Sequence, residues 1–258
     1  MSKTLKKILC LALSLSMLAL AGCTGTEETK KQDSDTSLTE KEDKAKAQKK
    51  ENTEDKSKDK PEEKEKTEKA MDKTETPDKV NIRITLTNGK QMEAELYPKI
   101  APKTVENFVK LINEKFYDGL IFHRVIEGFM IQGGGFDESF YDGNFNTKEA
   151  DTIKGEFTSN GYKNALLHKR GVLSMARTND PNSASSQFFI MHQDSPHLDG
   201  DYAAFGKVTK GLEVVDEIAT GRTTALEGTV LYMGQEYPQQ MTDVPETPVV
   251  IKTIEIID

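Results

Sequence analysis

From Val80 onward the chain alternates. Val80, Ile82, Ile84 and Leu86 are apolar, and Asn81, Arg83 and Thr85 between them are polar. A period of two marks a strand with one buried face. Asn88-Gly89 follows, a dipeptide suited to a tight hairpin turn, and residues 91–97 read as the returning strand. The period then lengthens. Across residues 101–116, Val105, Phe108, Val109 and Ile112 recur at helical spacing, and Pro102 stands where a first turn tolerates it. Short apolar runs at 120–126, 129–132, 171–176, 187–191, 203–208 and 249–257 read as further strands. Residues 212–219, with Val214, Val215 and Ile218, read as a second helix. The pattern predicts a mainly β domain, a closed antiparallel barrel capped by two α-helices. Closure would remove the exposed edges that an open sheet presents.

Before Val80 the patterning is of another kind. Lys3, Lys6 and Lys7 precede an apolar stretch at residues 8–20, which is short for a bilayer span and reads as a secretory signal. It ends in Leu20-Ala21-Gly22-Cys23, which resembles the lipobox of bacterial lipoproteins. That resemblance implies cleavage before Cys23 and a diacylglyceryl group on its thiol, and two chains suffice for stable anchoring. Residues 24–79 are mostly Lys, Glu, Asp, Thr and Ser, with Leu38 and Met71 as the large apolar exceptions. Such a segment has too little apolar surface to offset the entropy of ordering and is expected to be a disordered tether. As a coil of roughly 55 residues it would hold the following domain about 40 Å from the membrane. The expected organisation is a signal at 1–22, an acylated Cys23 with a charged linker to 79, and one domain at 80–258. The expected location is the extracytoplasmic face of a cell membrane.

Composition narrows the chemistry. The 258 residues carry a net charge of −8, and no basic face stands out, so a nucleic-acid partner is not expected. The two cysteines are Cys10, inside the signal, and Cys23, so no disulfide framework is expected. Of the four histidines, His192 and His197 are near in sequence, but no acidic or Cys partner stands at ligand spacing. No metal or other cofactor is expected. Gly133-Gly134-Gly135 lacks the Gly-Lys-Ser/Thr ending of a phosphate loop and reads as a turn or a close approach of backbones.

Four segments carry the functional signal. The first is Phe122-His123-Arg124-Val125-Ile126 with Gly128-Phe129-Met130-Ile131-Gln132-Gly133-Gly134. The others are Gly171-Val172-Leu173-Ser174-Met175-Ala176, then Ser186-Gln187-Phe188-Phe189-Ile190, then His197-Leu198-Asp199-Gly200 leading into Phe205-Gly206-Lys207-Val208. In this order and spacing the set resembles the cyclophilin peptidyl-prolyl isomerases, over nearly all of 80–258. The resemblance implies an eight-stranded barrel with two helices and catalysis of cis/trans isomerisation at Xaa-Pro bonds. It implies Arg124 as the catalytic arginine and Phe129, Met130, Phe189 and Leu198 as the apolar pocket for the proline ring. It implies contacts of Gln132, Ala176 and Gln187 with the substrate backbone. His123 is given no chemical step.

The implied partners are Xaa-Pro segments of folding secreted or surface proteins, reached by a monomer. The alternative is a proline-peptide-binding module or holdase that needs no turnover. His197 stands where many eukaryotic members have Trp, through which they bind cyclosporin, so only weak binding of that drug is implied. Arg177 replaces an Asn common in the family after the Met-Ala pair. Residues 221–248 are longer than the family usually has there and read as an extra loop or hairpin near the barrel rim, or as a partner site.

Overall fold

The structure is a computed structural model and describes residues 77–258. The signal, Cys23 and the charged segment up to residue 76 lie outside the described residues.

The first hairpin forms as the alternation predicts. Strand β1 (Val80–Leu86) pairs antiparallel with β2 (Gln91–Leu96). The Asn88 side chain accepts from the Lys90 backbone N–H, and Gly89 takes φ +83° in the turn. Helix α1 (Pro102–Asn113) has Pro at its start and buries Thr104, Val105, Phe108, Leu111 and Ile112. Its first N–H groups are capped from a distance: the Glu156 carboxylate accepts from the backbone N–H of Lys103 and Thr104 and from the Thr104 hydroxyl. A negative charge there satisfies otherwise orphaned donors and is attracted by the positive end of the helix dipole.

Strands β3 (Phe122–Ile126), β4 (Met130–Gly133), β5 (Val172–Met175), β6 (Phe188–Met191) and β7 (Ala204–Lys210) follow, then α2 (Leu212–Ala219), β8 (Thr223–Tyr232), β9 (Gln235–Pro245) and β10 (Ile251–Ile257). Eight strands make one sheet in the order β10-β1-β2-β7-β5-β6-β4-β3. Phe108 of α1 plugs the interior, with its ring 5.0–5.3 Å from those of Tyr117, Phe188 and Phe205. The mainly β character and both helices agree with the sequence pattern.

Closure does not. The sheet is an open, curled half-barrel, and its edge strands β3 and β10 form no ladder with each other. The residues just before each strand meet at one bridge, Ile121 with Val250, flanked by the Phe122 N–H to Val249 carbonyl bond at 2.9 Å, the Ile251 N–H to Leu120 carbonyl bond at 2.8 Å and the Gly119 N–H to Ile251 carbonyl bond at 2.9 Å. The bridge pair belongs to a second apolar cluster. Ile121, Phe136, Phe140, Phe145, Val244 and Val250 pack together there, and β9 lies against β3. Contact with β9 thus stands where a ladder from β10 was expected beside β3.

Residues 221–248, left open between a loop and a hairpin, form the second sheet, in which β8 pairs antiparallel with β9. The base of this hairpin is fixed. Val244 is fully buried in the second cluster, and Tyr141 donates its hydroxyl to the Pro245 carbonyl. The backbone of β8 bonds to the segment that follows β4, Phe145 N–H to Thr229 carbonyl and Thr229 N–H to Gly143 carbonyl.

Candidate active site

Register decides which side chains share a face of the curled sheet. Directly opposed residues of an antiparallel pair lie on the same side. Val125, Ile131, Ile190 and Leu173 oppose one another in turn across β3, β4, β6 and β5, and all four belong to the barrel core. One residue along, Arg124 opposes Gln132, Gln132 opposes Phe189, and Phe189 opposes Ser174. This row faces away from the core. Beside it, two residues on, Ile126 opposes Met130, which opposes Met191.

The outward rows are not bare. Met130, Phe189 and Leu198 pack in one apolar cluster with Val172, Met191 and Ala204, against which Ile126, Phe129, Leu166, Ala176 and Tyr202 also lie. Gln132 donates to the Gln187 side-chain carbonyl at 3.0 Å, and Ala176 N–H donates to the Gln187 backbone carbonyl at 2.9 Å. The Gln187 side chain lies over Gly135, where a Cβ would sit 2.6–2.7 Å from three of its atoms. The triple glycine is therefore a close approach at this end. His197, exposed on a short turn at Pro196–Leu198, stacks on Phe129 with ring centroids 5.6 Å apart. All the residues picked from the sequence within the described part, Arg124, Phe129, Met130, Gln132, Ala176, Gln187, Phe189, His197 and Leu198, therefore meet on one surface.

Four further residues shape that surface, and of these only Arg177 stood out in the sequence. Tyr202 meets the Phe189 ring edge-on at 5.9 Å. His168 stacks on Phe189 from below. Its Nδ1 is 3.0 Å from the Asp199 carboxylate and its Nε2 3.0 Å from the Ser174 hydroxyl. Burial lowers its pKa, and the Asp199 hydrogen bond opposes that shift. In the neutral ring, Nδ1–H donates to Asp199 and Nε2 accepts from Ser174. Arg177 donates from Nε and Nη2 to the Asp201 carbonyl and from Nη1 to the Thr178 carbonyl, and it lies over the Tyr202 ring. It thereby ties the segment after Ala176 to the segment after Leu198. The fourth is Asp243 of β9, whose Oδ2 is 3.6 Å from Arg124 Nε.

Electrostatics separate Arg124 from its neighbour. The Arg124 side chain is 39% exposed and, like any guanidinium, always charged. His123, pointing the other way, is buried against Phe136 at 4.6 Å, and its Nδ1 has no hydrogen-bond partner among the described residues. Burial, and then the Arg124 charge beside it, push its pKa down to about 3. His123 is a neutral packing residue at ordinary pH. A separate surface cleft by Arg83, Glu93, Lys210 and Glu255 shares no residue with the Arg124 row. Arg83 there pairs with both glutamates, and Lys210 with Glu93.

A family model described as cyclophilin type peptidyl-prolyl cis-trans isomerase/CLD matches residues 79–256. The chain belongs to that family. Cyclophilin relatives are close in sequence. The peptidyl-prolyl cis-trans isomerase of Acinetobacter baylyi is 44% identical over 159 residues, 60% of this chain and 77% of the relative. Peptidyl-prolyl cis-trans isomerase B of Bacillus subtilis is 46% identical over 136 residues, 53% of this chain and 88% of the relative. A cyclophilin type peptidyl-prolyl cis-trans isomerase of Cryptosporidium parvum is similar in structure. It has a TM-score of 0.54 at 28% identity, covering 70% of this chain and 98% of its own. That Cryptosporidium protein has also been crystallised in the presence of the dipeptide Ala-Pro. The enzyme class is peptidyl-prolyl cis-trans isomerase, the activity for which these relatives are named.

Proposed function

We propose that this cyclophilin domain isomerises Xaa-Pro bonds of secreted or cell-surface proteins while they fold, with Arg124 as the catalytic residue and a lipid on Cys23 holding it at the extracytoplasmic face of a membrane. The observation that carries the catalytic assignment is the outward row in which Arg124 stands beside Gln132 and Phe189, next to Met130. A cation and an apolar floor on one face are what the reaction needs.

The peptide bond resists rotation by about 18–20 kcal/mol because resonance stiffens it. When an Xaa-Pro amide is twisted, resonance is lost and the proline nitrogen regains a basic lone pair. No covalent bond has to break. Arg124 donates an N–H toward that nitrogen, while Phe129, Met130, Phe189 and Leu198 hold the ring by dispersion and desolvation. Gln132 and Gln187, already bonded to each other, and the backbone at Ala176 orient the chain on either side of the proline.

Uncatalysed exchange takes roughly 10–100 s, so reaching milliseconds needs about 10⁴–10⁵-fold, or roughly 5.5–7 kcal/mol. One charged hydrogen bond is worth about 1.5–3 kcal/mol. The rest comes from desolvation and from fitting the twisted form better than either planar one.

The test is proline-peptide exchange by the wild type, Arg124→Ala, Arg124→Lys and Phe129→Ala. Arg124→Ala lowers kcat/KM about 10–100-fold with little change in peptide affinity. Lys rescues only in part, because a point charge does not reproduce the planar fork. Phe129→Ala weakens binding as well. Turnover near wild type in Arg124→Ala would defeat the assignment and favour a binding module. The anchor is tested separately by the mass of the mature N-terminus, where an unmodified terminus other than Cys23 would remove it.

A further inference from the structure

The β8–β9 hairpin meets Arg124 through Asp243. Across β8 and β9, Thr224 opposes Val244 but Leu226 opposes Met241. Two residues of β9, Thr242 and Asp243, therefore stand opposite the single residue Ala225, which is a β-bulge. Its origin is in the packing. Regular alternation would put residues 241 and 244 on opposite faces. Here both Met241 and Val244 pack against the cluster of Ile121, Phe136, Phe140 and Phe145. The extra residue absorbs the mismatch, and Asp243 takes it up with φ +60°. A non-glycine residue in the left-handed region is uncommon, and bulges of this kind re-aim side chains beside active sites.

The side chain so aimed is a carboxylate beside the guanidinium. Asp243 Oδ2 lies 3.6 Å from Arg124 Nε and accepts a hydrogen bond from the Thr242 hydroxyl at 3.2 Å. Both ion-pair members are a little over a third exposed. The ion pair uses the Nε edge, and the two Nη nitrogens have no hydrogen-bond or ion-pair partner among the described residues.

Building on the assignment of Arg124, we infer that Asp243 is its positioning residue: the hairpin supplies a carboxylate that fixes the guanidinium by its Nε edge and leaves the Nη donors for the proline nitrogen. An arginine side chain with several free torsions spends much of its time away from any one geometry. A carboxylate on one edge restricts it before the peptide arrives, so the gain falls on turnover and not on peptide affinity.

The experiment uses the full chain and a short Ala-Pro peptide. Turnover at saturating peptide and peptide affinity are measured for the wild type, Asp243→Asn, Asp243→Glu, Asp243→Gly, Arg124→Ala and the Arg124→Ala/Asp243→Asn pair. Asn is isosteric and tolerates the left-handed backbone, so Asp243→Asn keeps the fold while losing the charge. It lowers turnover about two- to fivefold, the range of a part-exposed ion pair, with affinity unchanged within about twofold, and Glu restores part of the loss. Raising NaCl from about 0.05 to 0.5 M brings the wild type down toward Asp243→Asn and leaves that variant flat. Asp243→Gly loses turnover equally while its Tm rises about 1–3 °C, because glycine relieves the positive φ. A merely structural residue would not separate those two readings. On the Arg124→Ala background Asp243→Asn has no further effect.

Turnover of Asp243→Asn at or above wild type, or an equal loss on the Arg124→Ala background, overturns the inference. If Arg124→Ala alone keeps turnover, the arginine assignment falls and this one with it. If Arg124→Ala loses turnover and Asp243→Asn does not, only the positioning role falls.

Discussion

Strands β3 to β6 bury nearly every residue they carry, whereas β8 and most of β9 leave theirs half or wholly in solvent. Within the curled sheet β4, β5 and β6 are bonded on both sides, so the place of Gln132, Phe189 or Ser174 follows from register alone. The hairpin has no such frame. It is fixed at its base by Val244, Leu226 and Met241 on the second cluster, and its tip exposes Leu231 and Met233, the latter at 70%. Burial at the base and exposure at the tip imply very different sensitivities along one hairpin.

The largest effect is expected at the join. Phe140 is fully buried and its ring contacts Phe136 and Phe145. Phe140→Ala should cost about 3–5 kcal/mol, seen as a lowered Tm. Amide exchange should rise more across β8 and β9 than across β5 and β6; equal loosening of both would erase the distinction.

A second test uses pH at the same join. His123 has an ordinary pKa near 6.5 when unfolded and about 3 when folded. Between those values the unfolded chain takes a proton that the folded chain refuses, so acid favours unfolding. The stability linked to this group is fully present above pH 6.5 and is lost as pH falls toward 3, at up to about 1.4 kcal/mol per pH unit. Urea unfolding between about pH 6.5 and 5 should show a loss of about 1.6 kcal/mol. His123→Phe, which cannot titrate, should flatten that limb, and an unchanged pH slope in the variant would contradict the buried neutral ring.

The pocket rim should respond less. His197 is exposed and stacked on Phe129, so His197→Trp should tighten cyclosporin by about tenfold, or about 1.4 kcal/mol, while leaving peptide turnover similar. Wild-type binding already at low nanomolar strength, about −12 kcal/mol, would contradict this reading of His197. The smallest effect belongs to the hairpin tip. Met233→Ser should change stability by no more than about 0.5 kcal/mol, as thermal unfolding would show.

The same contrast explains what could be read from the sequence. The strands of the curled sheet were legible because burial imposes a period, as in Val80 to Leu86 with its alternating burial. The hairpin strands were not, because Thr223–Tyr232 and Gln235–Pro245 bury little, and Pro238 and Pro245 argue against regular pairing. Closure was expected from strand number, yet strand number cannot report that β3 and β10 stay unpaired while Ile121 and Val250 join Phe136, Phe140 and Phe145 in a cluster of their own. That Phe129, Met130, Gln187, Phe189 and Leu198 would share a surface with Arg124 was legible through a family pattern, not through chemistry: Phe129 or Gln187 taken singly looks like any core or loop residue. Asp243 and Tyr202 had no pattern to betray them. The aim of Asp243 depends on a bulge set by two neighbours on a different cluster, and that of Tyr202 on a loop folding over Phe189.

The alternation along β3 and β4 has a consequence for change over generations. Arg124, Ile126, Met130 and Gln132 lie on the outward face, and Val125 and Ile131 between them fill the interior. Two kinds of selection therefore act on interleaved positions of one short ribbon. Of the outward positions Ile126 alone carries no assigned role, so a codon library at 126 would vary the outward face while Arg124 and the interior at Val125 and Ile131 are left as they are.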